Sequence, residues 1–329
     1  MERLTVFITR RLPGDALDRL AEHARVDLWT DDMPPPYDEL LRRAAGASGL
    51  VCLLTDRIDA ALIRACPRLR VISNVAVGYD NVDIAAATAR RIPVGNTPGV
   101  LTETTADLAF ALILAVARRV VEADRFVREG RWRTWDPNLL LGRDVHGATL
   151  GIAGYGKIGQ AVARRAAGFD MRVLYTTSND VGAQHPLAAG DVLAHVNLDT
   201  LLRESDVVSL HVPLTDATRN MIGEAQLRVM KPTAYLINTA RGGLVDQPAL
   251  VRALREGWIA GAGLDVAAVE PVPADDPLLS APNVVLLPHI GSASHTTRER
   301  MASMAVENCL AGLRGERLPN CVNSEVYAV

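Results

Sequence analysis

Apolar residues fall along this chain in two alternating patterns. Short, mostly apolar runs at 4–9, 26–29, 49–54, 71–74 and near Val94 read as strands of a parallel sheet. Between them, 13–23, 37–45 and 59–66 carry apolar positions three or four residues apart and read as helices. Pro34, Pro35 and Pro36 interrupt one connection, and Asn96-Thr-Pro-Gly99 marks a crossing into a second region. A long apolar helix is expected there over 102–129, ended by Gly130 and buried on more than one side. Strands are then expected at 149–153, 171–175, 207–211, 234–239, 261–266 and 284–287, with helices at 160–168, 224–229 and 247–256. Pro288 stops the last strand, 296–312 forms a final helix, and 315–329 has little periodicity.

Two such alternations predict an α/β protein with two doubly wound parallel-sheet domains. The final helix is expected to pack back on the first region. A Rossmann-type cofactor domain, 99–291, would then be inserted in a discontinuous, flavodoxin-like substrate domain made of 1–98 and 292–329. A chain of 329 residues is long enough for both cores.

The run 149–153 leads into Gly154, Gly156 and Gly159, spaced G-x-G-x-x-G, and then into helical spacing. Alone, such glycines punctuate ordinary turns; between a strand and a helix, with a second strand following, they form a dinucleotide fingerprint. Gly154 lets the chain reverse, Gly156 lets a pyrophosphate approach the backbone, and Gly159 brings helix and sheet together. Lys157 and Ile158 complete the cofactor turn at the helix N-terminus, whose N–H groups face the phosphates. The acidic residue that grips ribose hydroxyls belongs at the end of the second strand, where this chain has Thr177, Ser178 and Asn179. No carboxylate is there to repel a 2′-phosphate, and three small polar side chains can donate to one. NADP(H) is therefore the expected cofactor and NAD(H) the alternative, with Asp180 in the acidic place if the strand ends later.

Ligands of such sheets bind beyond the C-terminal ends of the strands. In those places stand Arg241 before Gly242 and Gly243, Asp265, Glu270, and His289 directly after Pro288. Each has an ordinary reading: a helix cap for Arg241, turn acids for Asp265 and Glu270, a satisfied loop histidine for His289. Along one sheet edge they also match what hydride reduction of a 2-keto acid requires. Arg241 offers a guanidinium to hold the carboxylate and polarise the carbonyl. His289 offers the acid that protonates the new alkoxide, and Glu270 the carboxylate that keeps this acid charged.

Composition narrows the partners. Hydrophobic residues make up 49% and charged residues 22%, and the net charge of −3 gives no general attraction to nucleic acid or an anionic membrane. Cys52, Cys66, Cys309 and Cys321 lack C-x-x-C spacing, so reduced structural thiols in a cytoplasmic protein are expected, and no metal. The first residues lack the apolar core of a signal peptide, and the apolar part of the long helix is too short to cross a bilayer.

The fingerprint, Asn238-Thr-Ala-Arg-Gly-Gly-Leu-Val-Asp246, Gly263-Leu-Asp-Val266 with Glu270-Pro271, and Leu287-Pro-His-Ile-Gly-Ser-Ala293 together resemble the D-isomer-specific 2-hydroxyacid dehydrogenases over essentially the full length. Within that family, Pro288-His-Ile-Gly-Ser-Ala-Ser-His-Thr-Thr-Arg298, Leu310-Ala-Gly-Leu-Arg-Gly-Glu316 and 126–141 look most like the glyoxylate/hydroxypyruvate reductase branch. The resemblance implies NAD(P)H-dependent reduction of a small 2-keto acid, with Arg241, Glu270 and His289 in the catalytic positions. It implies that the amides of Val77 and Gly78 hold the substrate carboxylate, that Leu54 lines the pocket, and that Ser292 lies near the substrate. Thr105 and Asp265 are implied to touch the cofactor. Trp135 is implied either to reach a neighbouring subunit's site or to be an interface aromatic, in a homodimer formed through 102–129 and 132–141.

Neighbouring branches match less well. Phosphite dehydrogenases carry a lysine where Val77 stands, and formate dehydrogenases pair the histidine with glutamine where Glu270 stands. A dinucleotide-sensing corepressor of the same fold is the alternative from another functional class. Such proteins tend to carry long extensions, whereas this sequence runs only to Val329 after Gly315.

Overall fold

The computed structural model describes residues 3–177 and 193–328, and the chain divides into two compact units. One is Met1–Leu101 with Ser292–Val329, here unit 1; the other is Thr102–Gly291, unit 2.

Unit 1 begins with β1 (Thr5–Ile8), α1 (Ala16–His23), β2 (Arg25–Leu28), α2 (Tyr37–Gly46), β3 (Gly49–Cys52), α3 (Ala60–Ala65), β4 (Val71–Asn74), α4 (Ile84–Ala89) and β5 (Val94–Gly95). The five strands are parallel in the order β2-β1-β3-β4-β5, the flavodoxin-like order. β3 and β4 are buried throughout; β3 reads as an unbroken apolar run, whereas β4 buries two polar residues, Ser73 and Asn74, at its C-terminal end. Asp59 and Asp83 cap α3 and α4 by accepting from the amides of Leu62 and Ala86. α4 has no apolar periodicity to announce it, because its sequence is mostly alanine.

Unit 2 contains α5 (Thr102–Ala117), α6 (Val120–Arg128), β6 (Thr149–Ala153), α7 (Lys157–Ala167), β7 (Arg172–Thr176), β8 (Leu193–His195), α8 (Leu198–Glu204), β9 (Val207–Leu210), α9 (Glu224–Val229), β10 (Tyr235–Asn238), α10 (Gln247–Arg255), β11 (Gly261–Leu264) and β12 (Val284–Leu286). Its strands are parallel in the order β12-β11-β10-β9-β6-β7-β8, the Rossmann order extended by one strand, and the direction of winding reverses between β9 and β6.

The single helix expected over 102–129 is instead two. α5 ends where Arg119 adopts the left-handed conformation (φ 54°), and the returning chain closes over that end. The Arg143 amide donates to the Ala117 carbonyl, and Gly142 lies so near that a Cβ there would stand 2.3 Å from the same oxygen. The break is imposed by a segment more than twenty residues away, so no local glycine or proline marks it. α5 is buried broadly, whereas α6 buries no residue at all.

The chain then returns to unit 1 as α11 (His295–Leu313). Gly312 lets it approach β4, since a Cβ there would lie 2.5 Å from Val71, and the Ser73 hydroxyl on β4 donates to the Ala305 carbonyl. The tail beyond Gly315 holds to β5 through the Val322 amide, which donates to the Val94 carbonyl.

All four cysteines are free. Burial pushes the Cys52 thiol well up, Cys66 up to about 11 and Cys309 up to about 12; Cys321 is only half-buried. Among the described residues, no helix is long and apolar enough to cross a membrane.

Candidate active site

In unit 2 the glycine turn follows β6 and opens α7. Gly154 has φ +100°, and a Cβ there would lie 2.6 Å from the His211 carbonyl, so only glycine fits. A Cβ on Gly159 would stand 2.2 Å from the Gly154 carbonyl, which fixes how closely α7 lies on the sheet. Around Gly156 nothing lies within 4 Å of that position. It is the N-cap of α7 and supplies no side-chain cap, so the first amides of the helix face open space with the positive end of the helix dipole. These features fit the pyrophosphate of a dinucleotide. Lys157 is exposed at the first helical position, while Ile158 packs partly into the core. Thr177 directly follows β7; Ser178, Asn179 and Asp180 lie outside the described residues.

Three loops at the C-terminal edge of the same sheet carry the charged groups. After β10, the Asn238 side chain accepts from the Ala240 amide (3.0 Å) and donates to the Arg241 carbonyl (2.8 Å), closing a tight turn that presents Arg241. Arg241 Nη1 donates to the Ala240 carbonyl at 2.8 Å. The next residue, Gly242, presses on the loop after β11: a Cβ there would overlap the Ala267 carbonyl at 1.8 Å. In that loop the Ala267 amide donates to Glu270 Oε1 at 3.0 Å, and the Ala268 amide donates to Gln247 at the start of α10.

Glu270 Oε2 lies 2.7 Å from His289 Nδ1. Burial tends to raise the Glu270 carboxyl, but the bond to His289, the charge of that ring, the Ala267 amide and Arg241 together hold it below the usual carboxylate range. An anionic Glu270 accepts from Nδ1–H, which leaves Nε2 as the nitrogen through which a proton can pass.

His289 itself has φ +57°, a strained conformation for a histidine, and its loop is secured accordingly. Its amide donates to the Asp265 carbonyl (2.9 Å), the amides of Ile290 and Gly291 donate to the two Asp265 carboxylate oxygens (both 2.7 Å), and Thr105 on α5 donates to the Gly291 carbonyl (3.1 Å). Burial pushes the Asp265 carboxyl up despite those two amides. Asp265 and Thr105, singled out in the sequence for the cofactor, thus both hold the segment that carries His289.

Two features had no signal in the sequence. His211, beyond β9, puts its carbonyl against Gly154, and its ring Nε2 lies 2.8 Å from the Ser209 hydroxyl. Some of the residue is open to solvent, yet enclosure of the ring pushes its pKa down to about 4. Thr239 Oγ1, at the end of β10, is buried with no partner among the described residues, a polar atom suited to a bound ligand.

The remaining candidates belong to unit 1. Leu54 follows β3 and lines a cavity of about 400 Å³ with Asp56, Asp59 and Asn81. Val77 and Gly78 follow β4 and are half-buried. Asn81 Nδ2 donates to the Leu53 carbonyl, and Asn74 Nδ2 donates both to Asn81 and to the Gly78 carbonyl, so one asparagine pair ties the two loops together. Ser292 is half-buried and precedes α11.

Residues 110–291 match the family model of the D-isomer specific 2-hydroxyacid dehydrogenase NAD binding domain. A glyoxylate reductase of Korarchaeum cryptofilum is 56% identical over 332 residues, covering 98% of this chain and 97% of the relative. Among solved structures, a protein of Thermus thermophilus superposes with a TM-score of 0.88 at 52% identity, over 97% of this chain and 100% of that one. An NADPH-dependent glyoxylate/hydroxypyruvate reductase of Sinorhizobium meliloti, in complex with NADP and malonate, does so with a TM-score of 0.84 at 33% identity, over 99% and 98%.

Proposed function

The chain belongs to the D-isomer specific 2-hydroxyacid dehydrogenase family, and on that premise we propose that it reduces glyoxylate or hydroxypyruvate, to glycolate or the D-2-hydroxy acid, with NADPH as the preferred reductant. The observation that carries this reading is the 2.7 Å pair of His289 and Glu270, in loops packed beside the turn that presents Arg241. Unit 2 would hold the dinucleotide and unit 1 would receive the keto acid. When bound there, the dinucleotide would supply the hydride that reduces the carbonyl carbon. Arg241 polarises the carbonyl and shares the carboxylate charge, with the amides of Val77 and Gly78 as its other partners. His289 Nε2 gives its proton to the oxygen that gains charge, and Glu270 stabilises the imidazolium beforehand. Leu54 and Ser292 complete the contacts to the small acid.

Support for NADPH comes from Thr177, which stands where a carboxylate would repel a 2′-phosphate, and from the NADPH-dependent relative. A homodimer is supported by α6 and the loop after it. α6 buries nothing, its Val120, Val121 and Val127 are exposed, and Trp132, Trp135 (77% exposed) and Leu141 extend the apolar surface. Trp135 would then meet a second copy, as an interface aromatic or at that copy's substrate. Four free thiols suit a reducing cytoplasm.

The test is a panel of glyoxylate, hydroxypyruvate, pyruvate and phenylpyruvate, each with NADPH and NADH, read as kcat/KM. Glyoxylate or hydroxypyruvate with NADPH is expected to lead. A lead for phenylpyruvate would overturn the substrate assignment, and a lead for NADH the cofactor preference.

A further inference from the structure

Three consecutive carbonyls after β4 are each occupied by a donor. Ala76 O accepts from the Thr97 amide, Val77 O from Asn96 Nδ2 and Gly78 O from Asn74 Nδ2, all at 2.9 Å. These peptide bonds are trans, and in a trans peptide the carbonyl and the following N–H point in opposite directions. Fixing those three oxygens therefore turns the amides of Val77, Gly78 and Tyr79 away from the donors. None of the three donates to a backbone carbonyl among the described residues. Along an extended strand successive amides would alternate in direction; here a bend after β4 breaks that alternation.

We propose that Asn96 and Asn74 are positioning residues that aim the amides of Gly78 and Tyr79 and, beside the Val77 amide set by the Thr97 backbone, complete one neutral receiver for the carboxylate of a small keto acid. This rests on the functional reading above and goes beyond it by adding the Tyr79 amide and naming what orients the set. Successive amides on one side form a concave anion site without any cation. Asn74 is fully buried, and Asn81, which accepts from it at 3.1 Å, also holds the Leu53 carbonyl, so its aim is transmitted from the core of unit 1. Asn96 is held in turn, because its carbonyl accepts from the buried Asn308 side chain at 3.0 Å.

Asn96→Asp keeps the shape and removes the donor. The variant is expected to raise KM for glyoxylate about tenfold, with kcat within about twofold and KM for NADPH unchanged. As pH falls and the introduced carboxyl takes a proton, its O–H can donate to Val77 O again, and KM should return towards the wild-type value at the same pH. A folded variant with unchanged KM, or with its loss in kcat alone, overturns the proposal. A direct readout, independent of turnover and of how well the variant folds, is the backbone amide NMR of the wild-type holoprotein titrated with oxamate. Signals of Val77, Gly78 and Tyr79 should move together, and their failure to move overturns the receiver. If they move while no keto acid is reduced, the assigned activity is wrong and the receiver stands.

Discussion

Two places in this protein offer bare amides to an anion, and they are built by opposite means. At the start of α7 the amides are exposed because side chains are missing: Gly154, Gly156 and Gly159 remove every Cβ that would fill the turn. At 76–79 the amides are exposed because side chains are present, Asn96 and Asn74 holding the carbonyls on the far side. The first device fails when volume is added and the second when a donor is lost. The amides themselves carry no formal charge in either place, although Lys157 stands exposed beside the first; in the proposed reaction the charges acting on the substrate are those of Arg241, Glu270 and His289.

That separation of holding from chemistry predicts its largest effect at neither receiver. His289→Gln should lower kcat by about 10²–10⁴-fold while leaving the dissociation constants of NADPH and of oxamate near their wild-type values. A parallel loss of NADPH affinity, measured by fluorescence titration, would break the division. Next comes Gly159→Ala, whose Cβ meets the Gly154 carbonyl backbone. It should cost about 1–3 kcal/mol of stability in denaturant unfolding and weaken NADPH at least about tenfold. Gly156→Ala sharpens the contrast, because its Cβ enters open space: stability should hold while NADPH affinity falls about tenfold. Equal destabilisation by both alanines would show that the middle glycine serves packing rather than the ligand.

The smallest expected effect concerns His211, whose carbonyl closes over Gly154. Its folded pKa, about 4, lies below the ordinary 6.5, so above pH 6.5 neither state binds the proton and stability is unaffected. Below 6.5 the unfolded chain takes up a proton that the folded ring refuses, and stability falls until about pH 4. His211→Gln should flatten that slope, by roughly 1 kcal/mol between pH 6.5 and 5 once partial solvent access is allowed for. Unfolding curves of wild type and variant that stay parallel across this range would remove His211 from the account.

The contrast between the receivers also explains which features are legible in the sequence. Two parallel sheets follow from β/α alternation, and the turn at Gly154 announces itself because missing side chains appear directly in the sequence. Arg241, Glu270 and His289 could be singled out because each follows a strand. Asn74, Asn96 and His211 could not: His211 meets the hydroxyl of Ser209 two residues before it on the same strand end, and the two asparagines act on backbone oxygens, which leave no residue pattern. The same reason hid the break at Arg119, made by chain returning at Gly142, and β8, a three-residue edge strand too short for a pattern. Asp265 stands out in the sequence because it follows a strand, but the way its two oxygens hold the amides of Ile290 and Gly291 does not.

The burial of the cysteines has a practical outcome. Cys52, Cys66 and Cys309 are shielded and resist forming the thiolate, whereas Cys321 is partly reachable beside β5. A maleimide dye added to the unaltered enzyme should therefore attach at Cys321 first. It would give unit 1 a fluorescent reporter without any cysteine having to be engineered away.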